Sequence, residues 1–136
     1  VWLNGLEAVG YTLKEGTSTL ITSGLMERLL NTGRIRIVER ALMDGLMQEL
    51  QLGTSRLVDA QTRLQLGRLV AAQLIVTGRV VHQAPAIQVT LRCIETETGQ
   101  VSAVVNAHFE GPVSMDSLVE QLFNELFAKL HAKYLS

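Results

Sequence analysis

The side chains best suited to molecular recognition lie on three strand-like segments in the second half of this sequence. Arg79, Arg92 and His108 fall on the same face when these segments are read with the two-residue period of a β-strand. Guanidinium groups bind carboxylates and phosphates, and an imidazole changes its charge near neutral pH. This face is therefore a solvated surface, a recognition surface built on these three residues, or, as a third alternative, a catalytic surface.

No spacing of reactive residues indicates catalysis or cofactor binding. The three histidines, His82, His108 and His131, lack the spacing of metal ligands, and one cysteine cannot supply a cysteine pair. No G-x-S-x-G motif frames a serine, and the glycines form neither G-x-G-x-x-G nor a P-loop. We therefore predict no catalytic residues, no cofactor and no metal ion, and a protein that is not an enzyme.

The single cysteine, Cys93, belongs to an apolar row with Ile87, Val89 and Leu91 at two-residue spacing. A row of this kind faces the core of a sheet protein, so the thiol is expected to be a small, protected apolar group and not a nucleophile. One cysteine also excludes a disulfide within the chain.

Three strands position the polar face. Apolar and polar residues alternate over residues 73–83, 86–96 and 100–110. The connections at 84–85 and 97–99 are too short for a crossover, so the segments are expected to form an antiparallel meander.

The stretch GRIRIVERALMDGLMQELQLG, residues 33–53, predicts a strand that leads directly into a helix. Residues 34–38 alternate long polar and β-branched side chains, as a half-buried strand does. Gly33 and Gly53 suit the left-handed caps that end helices. The helix has one apolar stripe at four-residue spacing, made of Leu42, Leu46 and Leu50, with Met43 and Met47 beside it. Val38 and the first two leucines are therefore expected to pack against the meander.

A first strand and three further helices complete the predicted fold. The strand covers residues 1–11, and Thr17 or Ser18 caps the helix after it. Asp59 caps a short helix, and Ser114 caps the last one. The inward stripe of the short helix is expected to be Arg63, Leu64, Gly67, Val70 and Ala71. Together these elements predict an α+β fold in one domain of 136 residues, with helices packed on a mixed sheet of about five strands.

The last helix carries more apolar residues than one packing contact needs. They cover roughly half of its circumference, and they are Met115, Leu118, Val119, Leu122, Phe123, Leu126, Phe127 and Leu130. Either all of them are buried between the sheet and a neighbouring helix, or the flank with Phe123 and Phe127 contacts another subunit.

Composition narrows the class of protein. A length of 136 residues with 47% hydrophobic residues suits one domain with one core. A net charge of -1 gives no electrostatic reason to bind nucleic acid or an anionic membrane. No apolar run approaches the roughly 20 residues of a membrane-spanning helix. The chain opens on the strand-like stretch VWLNGLEAVGY, so we expect a mature or excised domain without a signal peptide.

Three stretches of the chain resemble the CsgG-like family, whose best-known member is the curli secretion channel subunit. They are GRIRIVER at 33–40, followed by Glu49 and Leu52 at the helix end, LIVTGRV at 74–80, and LRCIETETGQV at 91–101. The similarity extends from about residue 16 to residue 134. Fold relatives of the same pattern include the N-terminal domain of TolB, flagellar assembly proteins of the outer membrane and lipoprotein activators of peptidoglycan synthases.

The resemblance implies a bacterial envelope protein without catalytic residues, whose domain binds other envelope proteins and often forms dimers or rings. It places the chain in the periplasm, with any outer-membrane anchor in a segment outside this sequence. The shared motif positions are structural, so they transfer no functional residue. The short links at 84–85 and 97–99 favour an accessory module for secretion, lipoprotein or flagellar assembly over a pore-forming subunit.

Two other functions stay open at the level of the sequence. A small-molecule-binding or enzymatic domain would use a pocket on the polar sheet face. RNA binding is suggested because this kind of fold resembles anticodon-binding domains, although the net charge argues against RNA as a partner.

Overall fold

The computed structural model describes residues 1–10, 16–50, 59–83 and 85–135, and Gly53 and Ala84 therefore lie outside the described residues. The described elements alternate between strands and helices. In chain order they are β1 (Trp2–Gly10), α1 (Thr17–Asn31), α2 (Arg40–Glu49), α3 (Ala60–Leu69), β2 (Leu74–Gln83), β3 (Ala86–Glu95), β4 (Val101–Glu110) and α4 (Met115–Leu130), which continues as a π-helical turn (His131–Leu135).

The four strands form one mixed sheet in the order β1-β2-β3-β4. β1 runs parallel to β2, and the three helices between them provide the long connection that a parallel pair requires. β2, β3 and β4 form an antiparallel meander. These pairings confirm the predicted α+β class, the mixed sheet and the meander.

The predicted strand at residues 34–38 is not part of the described sheet, which has four strands instead of about five. The backbone of this segment bonds to Val1, the residue before β1. The Val38 amide donates to the Val1 carbonyl over 2.9 Å, and the Val1 ammonium donates to the Arg36 carbonyl over 2.8 Å. Helix α2 begins at Arg40, so the segment leaves the sheet before a second residue pair can form. The alternation of polar and apolar residues was the sole basis for predicting this strand. Within the described residues, the segment has no ladder of backbone hydrogen bonds to a neighbouring strand, so the prediction is wrong.

One face of the sheet, the α1/α4 face, carries the larger core. α1 buries Ile21, Leu25 and Leu29 there, as the sequence predicts. The strands contribute the predicted apolar rows, among them Val89, Leu91, Cys93, Val105, Ala107 and Phe109. α4 completes the core with Leu118, Val119, Leu122, Leu126 and Leu130.

The opposite face, the α2/α3 face, has a smaller core near the first residues of β2. Its buried members are Trp2, Met43, Met47, Leu66, Ala72, Ile75 and Ile94. The prediction that the first two leucines of the stripe pack inward is wrong for Leu42, which is 52% exposed, and Leu50 at the end of the same stripe is exposed as well. Leu46 and Val38 are only partly buried at the margin of this core. The methionine stripe beside the leucines faces the sheet instead, so α2 is rotated relative to the prediction.

Capping side chains begin two of the helices as predicted. The Asp59 carboxylate accepts a hydrogen bond from the Thr62 amide over 2.8 Å, and the Ser114 hydroxyl accepts one from the Ser117 amide over 3.1 Å. α1 differs, because its cap residue is Gly16, with φ at 87°, and not Thr17 or Ser18. Glycine adopts this left-handed conformation without steric cost.

Charged side chains join α4 to its two neighbours. The Arg28 guanidinium of α1 donates to Asp116 over 2.7 Å and to Glu120 over 2.9 Å. On the other side of α4, the Lys129 ammonium donates to the backbone carbonyl of Val104, and the Lys133 ammonium donates to that of Ser102 over 3.2 Å. Both carbonyls belong to β4, which lies at the edge of the described sheet.

Candidate functional site

The candidate site is the part of the α2/α3 face that lies beyond the small core. Residues of β2, β3 and β4 with the same parity as Ile75 and Ile94 point to this side. Within the described ranges, no helix packs over the remainder of these residues. We call this surface the open half-face. Val81 and Val104 also lie on it, and its polar members are Arg79, Gln88, Thr90, Arg92, Asn106 and His108.

The strand register brings two of the predicted site residues together. Arg79 lies opposite Thr90, and Arg92 lies opposite Thr77, so the two arginines are diagonal neighbours on adjacent strands. Both arginines are exposed, whereas Thr77, which lies on the same face opposite Arg92, is buried. A depression of about 290 Å³ lies between them, lined by Gly78, Arg79, Thr90 and Arg92. This spacing permits a single anionic group to contact both guanidinium groups.

A third arginine reaches this region from α3. The pKa of Arg63 is lowered, first by burial and then by the positive charge of Arg92, while Asp59 acts in the opposite direction. The positive charge of Arg92 therefore acts on the guanidinium group of Arg63. The sequence analysis placed Arg63 on the inward stripe of α3 but did not assign it to the site. The sequence did contain a signal for this placement of Arg63. Arg63 lies one helical turn before Gly67, and Gly67 faces the sheet.

Gly67 brings α3 close to the sheet, as the sequence predicts. A Cβ atom at this position would lie 2.7 Å from Cγ2 of Thr96 and 3.2 Å from Cδ1 of Ile75. Thr96 in turn donates its hydroxyl to the Ala72 carbonyl over 2.6 Å, which ties the chain after α3 to the end of β3. These contacts fix the helix that carries Arg63 over the margin of the open half-face.

Polar side chains of β4 form the other margin of the open half-face. The Thr90 hydroxyl donates to Asn106 Oδ1 over 2.9 Å. His108 lies opposite Gln88, and its Nε2 is 3.3 Å from Glu110 Oε1. His108 is therefore on the predicted face, but at the far end of it from Arg92 and beside a carboxylate.

Phe123 and Phe127, the predicted oligomer surface, lie at the boundary between core and solvent. Both side chains are half-buried and pack against the core of the α1/α4 face. Their rings stack with centroids 5.5 Å apart, and the ring of His131 lies 6.0 Å from that of Phe127. The rings thus form a continuous row along one flank of α4.

The remaining candidate groups lie elsewhere. Cys93 is buried, as predicted, and burial raises the pKa of its thiol to about 11 against a weaker, opposing effect of Lys129. Among the described residues, no group of histidine, cysteine and acidic side chains is arranged to hold a metal ion. None of the described helices is both long enough and apolar enough to cross a membrane.

Solved structures share this fold at low sequence identity. The LpoB C-terminal domain from Salmonella enterica has a TM-score of 0.71 at 16% identity, over 80% of each chain. Lipoprotein GNA1162 from Neisseria meningitidis has a TM-score of 0.61 at 12% identity, over 99% of this chain and 98% of that one. The PelC dodecamer from Paraburkholderia phytofirmans has a TM-score of 0.59 at 16% identity, over 95% of this chain and 84% of that one.

Sequence comparison identifies the family. No curated protein matches the chain significantly in sequence. Residues 7–83, more than half of the chain, match the family model described as the curli production assembly/transport component CsgG. This match includes the end of β1, the three helices α1 to α3 and all of β2, and the chain therefore belongs to the CsgG family.

Proposed function

We propose that this chain is a non-enzymatic domain that assembles with other proteins in the periplasm of a bacterial envelope. The match of residues 7–83 to a curli production assembly/transport component carries the proposal. The fold is also that of a lipoprotein, GNA1162, and of a protein that forms a dodecamer, PelC, which supports a protein that works by association.

The open half-face is the surface through which we propose that the domain contacts its partner. It is broad, exposed and rich in side chains that donate hydrogen bonds, with Arg79, Arg92 and His108 as the charged or chargeable groups. Arginine is enriched at protein interfaces because its planar group combines hydrogen bonding with apolar contact area. A polar surface of this kind suits an association between proteins that also exist separately.

Photo-cross-linking in the source bacterium tests this proposal. A photoreactive amino acid is placed at Gln88 or Asn106 on the open half-face, and at Gln48 or Glu27 as exposed controls on α2 and α1. We expect discrete cross-linked species in the envelope fraction from the first pair of positions only. Cross-links that arise equally from all four positions, or a protein found in the cytoplasm, would contradict the proposal.

A further inference from the structure

We propose that Arg63, Arg79 and Arg92 form a binding site for an acidic, extended segment of a protein partner. The inference rests on the proposed function and specifies the chemistry of the partner. Arg79 and Arg92 border the same depression on two adjacent strands. Arg63 lies on α3, which approaches the sheet beside this depression where Gly67 faces Thr96 and Ile75. The three positive charges come from three separate elements, α3, β2 and β3, so the fold and not a local run of sequence creates the cluster.

The donor geometry suits carboxylates. A guanidinium group has five N–H donors in a planar fork and can hold a carboxylate through two parallel hydrogen bonds. Arg63 and Arg79 also take part in interactions within the chain, so a bound carboxylate would join groups that are already partly held in place. Thr90 and Asn106 lie beside the arginines and offer a hydroxyl and an amide to the backbone of a bound segment.

The surroundings of the cluster favour a protein over a nucleic acid or a lipid surface. The chain has 12 basic and 13 acidic residues, so its net charge of -1 does not favour binding to a phosphate backbone. Asp59 acts on Arg63 from the start of α3, and Glu110 lies beside His108 at the far end of the open half-face, so carboxylates interrupt the positive charge of this surface. Lys129 and Lys133 could attract anionic lipids, but both ammonium groups donate hydrogen bonds to carbonyls of β4. A short acidic segment matches a positive site of this limited size.

Fluorescence anisotropy with a labelled hexaglutamate peptide tests the site, with hexaglutamine as the uncharged comparison. We expect hexaglutamate to bind and hexaglutamine not to bind. Arg92→Gln should weaken binding about tenfold, the effect of losing one charge-assisted hydrogen bond. Arg36→Gln removes the same charge from an exposed position away from the cluster and should change binding less than about twofold.

Further variants separate specific binding from general attraction. The charge reversal Arg92→Glu should abolish hexaglutamate binding while the protein keeps its circular dichroism spectrum, because Arg92 is exposed. Equal loss in Arg36→Gln and Arg92→Gln would overturn the inference, as would stronger binding to vesicles that contain anionic phospholipid. If the open half-face still cross-links to an envelope partner while the arginine variants bind it normally, this inference fails and the proposed function stands.

Discussion

The thiol of Cys93 lies on the α1/α4 face, in the row of β3 that α4 covers. Burial is the main reason why its pKa rises to about 11, so the fraction of reactive thiolate at neutral pH is very small. The two-residue period was enough to predict this placement. It was equally sufficient for Arg79 and Arg92, because the side of a strand that a residue faces depends only on its parity within the strand.

We expect Cys93 to react with a thiol reagent much more slowly in the folded protein than in the unfolded chain. Reaction requires an exposed thiolate, and the fold suppresses both exposure and ionisation. Labelling kinetics at pH 8, with and without concentrated urea, measure the difference. Comparable rates in the two states would contradict the predicted protection.

Gly78 allows β2 and β3 to approach closely beside the depression. A Cβ atom at this position would lie 2.0 Å from the carbonyl oxygen of Thr90. Gly78→Ala is therefore expected to destabilise the protein by about 1–3 kcal/mol, as overpacking does. Gly45→Ala is the matched control, because a Cβ at Gly45 meets nothing within 4 Å and α2 gains about 0.5–1 kcal/mol of helix stability.

Urea unfolding of the two glycine variants measures these changes in free energy. Binding of hexaglutamate to the arginine site provides a second measurement, because Thr90 and Gly78 both line the depression. We expect Gly78→Ala also to weaken binding of hexaglutamate, whereas Gly45→Ala should not. A Gly78→Ala variant as stable as the wild-type protein would show that the strands separate at no cost.

At the scale of the element, the hydrophobic periodicity of α2 predicted a helix but not which side of the helix faces the sheet. The leucine stripe and the methionine stripe lie next to each other on this helix, and both have helical spacing. Which stripe faces inward depends on how the helix meets Trp2, Ile75 and Ile94, and that is a tertiary contact. The meander was predictable because its short connections leave only one way to pair the strands. The role of Arg63 in the site also depends on a tertiary contact and was therefore not predicted. Its neighbour Arg92 is 29 positions away in the sequence.

Met47→Ala is expected to destabilise the protein by about 2–5 kcal/mol, as the loss of a large buried side chain does. Met47 is only 3% exposed and belongs to the small core. Leu42→Ala, on the outward stripe of the same helix, should cost less than about 0.5 kcal/mol, as surface substitutions do. Urea unfolding of both variants decides between the two stripes, and the opposite ranking would mean that α2 is turned the other way.

At the scale of the whole molecule, the α+β class, the family and the order of the four strands and four helices follow from the sequence. The predicted fifth strand does not form in the described residues, because residues 34–38 have a strand-like pattern but form backbone–backbone hydrogen bonds only with Val1, just before β1. The sequence pattern also does not determine how the molecule associates. The row formed by Phe123 and Phe127 is half-buried within one chain, and this leaves part of each ring available to a second copy.

We expect the wild-type protein to self-associate through this flank of α4 and Phe127→Glu to weaken the association. A carboxylate on the flank would have to lose its hydration in a subunit interface. Asn124→Glu adds the same charge at an exposed position of α4 and serves as the control. Sedimentation over a range of protein concentrations measures both. A monomer at every concentration, with a Phe127→Glu variant that fails to fold, would mean that the rings serve only the core.

The lysines of α4 have a consequence for solubility. A sheet edge with free carbonyls is a template on which a foreign strand can grow, and the VSAVV segment of β4 has the β-branched composition that promotes amyloid-like stacking. Lys129 and Lys133 are one helical turn apart, and the carbonyls of Val104 and Ser102 are two strand residues apart, so both ammonium groups fit the same edge. A strand from another molecule would have to displace both ammonium groups from these carbonyls before it could pair with β4. α4 and the turn that follows it therefore protect this edge of the described sheet against pairing with a strand from another copy.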